Sequence, residues 1–183
     1  MKTLNLLLFC LLIFNTSCNN DDYQSQNPID LLPPATKTGE QTFGCLINGD
    51  AFIPDKFGSG RPNAFYQFVD GKYTLGISAI MSRDNNFQTV ILGGLDIDNL
   101  QEIDYQLLDY VSGNFYGIYD KRTGSTSNPV TLTTLNNRHG NLTITNFDPN
   151  NYIISGTFEF TVLDKNDNEI KITDGRFDLL YTN

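Results

Sequence analysis

Tryptophan is absent, histidine occurs once, and 12 basic side chains stand against 21 acidic ones. Each shortage excludes something. His139 has no histidine or cysteine neighbour, so it cannot build a zinc site of the usual nitrogen and sulfur type. No serine elbow accompanies it as a general base, and Asn137-Arg138-His139-Gly140 reads as a surface turn. The scarcity of Lys and Arg argues against nucleic acid, whose phosphates attract basic patches. No Gly-rich phosphate loop follows a strand and opens a helix. No apolar run approaches the ~20 residues that span a bilayer. Of the three cysteines, Cys10 and Cys18 lie in the first eighteen residues, which leaves Cys45 without an intramolecular partner.

The first forty residues are organised for export. Met1-Lys2 is a basic start, Leu4 to Phe14 is an apolar run interrupted at Asn5, and Asn15-Thr16-Ser17 is small and polar. That pattern predicts a secretory signal peptide over 1–17. Cys18 follows directly, and the junction resembles a bacterial lipobox, whose cysteine thiol takes a diacylglyceryl group. The usual box has Leu three positions before the cysteine, where this chain has Asn15. The alternative is a plain signal peptide followed by an incidental cysteine. A mature lipoprotein carries two or three acyl chains, enough for stable attachment at ~0.8 kcal/mol per buried CH₂. The expected membrane contact is therefore the lipid on Cys18. Asp21-Asp22 resembles the signal that moves Bacteroidota lipoproteins to the outer face of the outer membrane; the other reading is an acidic linker. Residues 18–41 are rich in Asn, Gln, Thr and Pro and are expected to be a flexible tether. Without residues 1–17 the count is 11 basic against 21 acidic, a net −10. An anionic lipid surface would repel such a domain.

From residue 42 to 183 the pattern is all-β. Short apolar runs alternate with polar residues and are cut by Gly, Asn and Asp. In Thr157-Phe158-Glu159-Phe160-Thr161-Val162 the phenylalanines and Val162 share one face; in Asn141-Leu142-Thr143-Ile144-Thr145 the inward residues are Leu142 and Ile144. Period-two alternation marks antiparallel strands with one wet face. Asn48-Gly49 and Asp70-Gly71 predict hairpin turns, because both central residues of a type I′ turn need positive φ. Twelve candidate strands result, with room for a short helical turn between Leu100 and Leu108. A single, monomeric antiparallel β-sandwich is expected, with a partly closed β-barrel as the alternative.

Leu32-Pro33-Pro34-Ala35-Thr36 and Thr42-Phe43-Gly44-Cys45-Leu46-Ile47-Asn48-Gly49 open this region. Ile154-Ser155-Gly156-Thr157-Phe158-Glu159-Phe160 and Ile172-Thr173-Asp174-Gly175-Arg176-Phe177-Asp178 close it. In these segments the chain resembles a family of Bacteroidota outer-membrane lipoproteins that carries a domain of unknown function. The resemblance implies an outer-membrane lipoprotein with a β-rich domain, and it brings no substrate or catalytic residue.

No catalytic, cofactor or metal residue is assigned. Asp164-x-Asn166-x-Asn168 begins like a calcium loop, but Glu169 stands where Gly is needed and Gly175 where a bidentate Glu belongs. It reads as a hairpin tip. Asp96 and Asp98 read as a strand end with its turn, and Arg176 with Asp178 as a structural pair on one strand face. Tyr110, Phe115, Tyr116 and Tyr119 crowd together and form a candidate binding surface for a sugar ring or a protein partner. The alternative is core filling. The expected function is a non-catalytic surface binding or interaction module. A carboxylate-dependent glycan hydrolase and a structural envelope protein are the other readings.

Overall fold

The structure is a computed structural model that describes residues 27–124 and 126–183. The signal segment, Cys18, Asp21 and Asp22 lie outside the described residues. Among those described, no helix is long and apolar enough to cross a membrane.

Among the described residues there are eleven strands: β1 (Thr42–Ile47), β2 (Asp50–Phe52), β3 (Asn63–Val69), β4 (Lys72–Arg83), β5 (Asn86–Ile97), β6 (Asp104–Leu107), β7 (Phe115–Thr123), β8 (Val130–Thr133), β9 (Gly140–Asp148), β10 (Ile153–Leu163) and β11 (Glu169–Thr182). The all-β expectation holds. The helical structure among the described residues is two short 3₁₀ turns, Pro28–Leu31 and Gly58–Gly60. Between Leu100 and Leu108, where a helical turn had room, none forms, and the candidate strand Asp104–Leu108 is β6.

All eleven strands belong to one hydrogen-bonded sheet, which folds into two antiparallel layers, β3-β4-β5-β7-β8 and β6-β9-β10-β11-β1-β2. Hydrogen bonds join the layers at two corners through short parallel pairings, Leu107 with Phe115 and Tyr181 with Ala64. The result is a sandwich partly closed at its edges. Its interior is one cluster. Leu75, Ile77, Val90 and Leu92 face it from one layer; Leu142, Ile144, Ile154, Phe158, Phe160 and Leu179 face it from the other. Tyr66 of β3 meets Phe147 of β9 edge to face, with centroids 5.2 Å apart.

The alternation in β9 and β10 falls as the pattern requires: Leu142, Ile144, Phe158, Phe160 and Val162 are buried, while Thr157 and Glu159 are exposed. Both expected hairpins form, with φ of 52° and 89° at Asn48-Gly49 and 50° and 88° at Asp70-Gly71. A third turn of this kind, Asp84-Asn85, joins β4 to β5 without a glycine. The last two expected strands are one, β11, carrying a bulge. Register slips there against both neighbours, and Asp174 sits at φ 54°. A bulge keeps the ladder continuous through a break in alternation and re-aims the residue it holds.

Candidate functional site

The outer face of the second layer carries an open groove of about 580 Å³. Cross-strand register builds its floor. Asp104 of β6 pairs with Thr143 of β9, Thr143 with Thr157 of β10, and Thr157 with Arg176 of β11. Strands lie ~4.8 Å apart, so this polar row runs about 14 Å across the sheet. Asn141 and Glu159, also partners, form a second row beside it. The bulge in β11 brings Asp174 to the groove, and Ala35 forms part of its wall.

These side chains are lightly tied. Thr143 donates to Asp104 at 2.6 Å, and Asn141 to Glu159 at 3.4 Å. Arg176 donates to two backbone carbonyls, Asp174 at 3.3 Å and Pro33 at 3.5 Å, and among the described residues it has no ion pair. The groove thus offers carboxylate acceptors, guanidinium donors and amide and hydroxyl groups that do both.

The wall comes from a segment expected to be a flexible tether. Residues 27–41 lie on the sheet instead. Leu32 is buried, and Pro33 packs so closely over Gly44 that a Cβ there would stand 2.7 Å from its ring. The fastening is Asp178, 1% exposed on the outer face of β11. Its carboxylate accepts from the Thr36 hydroxyl at 2.6 Å, the Ser155 hydroxyl at 2.7 Å, and the amides of Thr38, Gly39 and Glu40 at 3.0, 2.8 and 3.1 Å. Burial opposes the charge, but the hydrogen bonds, Thr36 and Ser155 foremost, hold this carboxyl below the usual range. Composition suggested a tether because prolines and polar residues bury little by themselves. The buried acid that organises them lies about 140 residues away.

The expected aromatic surface divides. Tyr119 is 3% exposed and belongs to the core, where burial pushes its phenol up to about 12. Phe115 packs inward against Tyr105, with centroids 4.1 Å apart. Tyr116 lies on the outer face over Gly93, and exposed Tyr110 packs against it in a tilted arrangement with centroids 4.4 Å apart. Only Tyr110 and Tyr116 reach the outside together. Alternation separates them from Phe115 and Tyr119.

The remaining candidates are spread out. His139 is exposed in its turn. Asp164 spends its oxygens inside the hairpin tip, accepting from Asn166 and Asn168, and the Asn168 side chain leads in lowering its carboxyl. Asp98 pairs with Lys72 at 2.6 Å beyond the end of β5. Arg176 and Asp178 share a strand face as expected, but Asp178 holds the N-terminal segment and Arg176 faces the groove. Cys45 is a free, fully buried thiol whose pKa burial raises. No group of three or more His, Cys, Asp or Glu stands ready for a metal among the described residues.

No protein-family model, no curated protein and no solved structure matches this chain. The groove residues come from segments far apart in sequence, so no single motif announces them. One signal was present. Three of the opening and closing segments of the domain meet here: Pro33 to Thr36, Thr157 to Glu159, and Asp174 to Asp178.

Proposed function

We propose that this chain is a lipid-anchored, non-catalytic binding module of the outer membrane, exposed at the cell surface, whose groove takes a hydroxyl-rich ligand of the glycan class. The observation that carries the reading is the four-strand polar row from Asp104 to Arg176. Each sugar hydroxyl donates and accepts, and this row presents both kinds of partner on a rigid floor. An open trough suits a segment of a polymer better than a small molecule held on all sides. The export pattern of residues 1–22 supports the anchor and its surface address. The N-terminal segment adds a constraint. With residues 27–41 on the sheet, only residues 19–26 separate Cys18 from the domain, a reach of at most about 30 Å. The groove then works close to the membrane that carries it.

Two assays test this. Metabolic labelling with a palmitate analogue should mark the chain and not its Cys18→Ser variant. Labelling of both, or of neither, sinks the anchor. A glycan array probed with the whole chain in detergent should retain a defined set of polymers and leave them intact. An array with no retained glycan sinks the ligand class. Shortened products would favour the hydrolase reading.

A further inference from the structure

A second cavity lies on the opposite layer, against the outer face of β4, β5 and β7. Its volume is about 310 Å³, and its lining includes Asp55, Ile80, Phe87, Thr89, Asp120 and Arg122. Three observations single it out. Asp120 turns one carboxylate oxygen, Oδ1, into a position shielded from solvent, and no donor among the described residues reaches it. A buried acceptor left unmatched is costly, and more so for a charged group. The Arg122 guanidinium sits over the Phe87 ring, its central carbon 4.5 Å from the centroid. That contact holds the guanidinium against the ring, and among the described residues no side chain or carbonyl accepts from it or pairs with it. Third, the two charges are set apart by the strand itself. Asp120 and Arg122 are two positions apart on one face of β7, about 6.7 Å along the strand.

We infer that this cavity is a binding site for a small zwitterion of the α-amino acid type. The ammonium would donate to the other, accessible oxygen of Asp120, Oδ2, with Asp55 as a second negative group in the lining, and the carboxylate would lie along the Arg122 fork. Charge-assisted hydrogen bonds of about 2.7–2.9 Å at each end leave room between the two side chains for the short backbone of such a molecule. Ile80 and Phe87 give its side chain an apolar flank. A metal ion is a poorer occupant, because the lining supplies two carboxylates and a cation.

The test is titration calorimetry on the whole chain in a nonionic detergent, with L-alanine, L-leucine and L-phenylalanine as probes. Leucinamide, which lacks the carboxylate, and 4-methylpentanoate, which lacks the ammonium, serve as controls. At least one amino acid should bind saturably. Asp120→Asn and Arg122→Gln should each weaken it by about tenfold or more. Arg122→Gln should leave leucinamide unaffected, and Asp120→Asn should leave 4-methylpentanoate unaffected. Unchanged melting temperatures in both variants show that folding is intact. The inference is overturned if none of the three amino acids saturates, or if both variants bind them as well as the parent chain does.

Discussion

The hydroxyl of Thr36 donates to the carboxylate of Asp178 at 2.6 Å, across 142 positions of sequence. This bond fastens the N-terminal segment to the last strand and sets one wall of the groove. Asp178→Ala removes the acceptor of five hydrogen bonds. It should cost about 3 kcal/mol in urea melting, since hydrogen bonds to a charged group are worth ~1.5–3 kcal/mol each and the freed amides regain water. Trypsin should then cut after exposed Lys37 sooner than in the parent chain. Unchanged stability and cleavage would mean that the segment is held by something else.

The same carboxyl predicts a pH dependence. Its folded pKa is depressed, so its contribution is complete above the unfolded carboxylate value of about 3.9 and is lost as pH falls through the folded value. The stability gap between the parent chain and Asp178→Asn should be constant from neutral pH down to mild acid, then close in strongly acidic solution. A gap that widens on acidification would contradict the assigned sign.

Much of this fold was legible in the sequence, and the limits are physical. Alternation showed which way Phe158, Phe160, Leu142 and Ile144 point, because burial selects every second residue. The hairpins at Asn48-Gly49 and Asp70-Gly71 were legible because positive φ favours those residue pairs. The Asp84-Asn85 turn was not, since it lacks glycine. Period-two reading also split β11, because a bulge breaks the period without breaking the strand. The groove escaped notice because it is a product of register. Asp104, Thr143, Thr157 and Arg176 become neighbours only once four strands are aligned, and nothing in their own segments says so.

Two classes of glycine contact should separate in mutational cost. A Cβ on Gly93 would meet the far end of the Tyr116 ring at 2.2 Å, and that ring can swing outward. A Cβ on Gly140 would meet the backbone oxygen of Glu159 at 2.5 Å, and one on Gly156 that of Thr143 at 2.3 Å. Gly140→Ala and Gly156→Ala should each cost about 3 kcal/mol, and Gly93→Ala about 1 kcal/mol or less. Thermal melting of the three variants decides it. A Gly93 variant as damaged as the other two would mean that Tyr116 is locked in place.

Phe158 and Phe160 anchor β10 in the core. Phe158 lies against Gly175, and Phe160 against Gly117 and Gly140. Truncating either to Ala should cost ~3–5 kcal/mol, a large share of the stability of an ordinary domain. Glu159 between them points to the groove, and Glu159→Ala should leave the urea midpoint where it was. Equal damage from all three would reverse the assigned faces and move the groove to the interior.

The most direct measurement of the central claim is a paired one on Glu159→Ala. The parent chain and the variant are applied to the same glycan array and melted in the same urea series. The account predicts that the parent chain retains glycans without shortening them, and that the variant loses that retention at an unchanged urea midpoint. Retention of the same glycans by both chains at equal strength would contradict it.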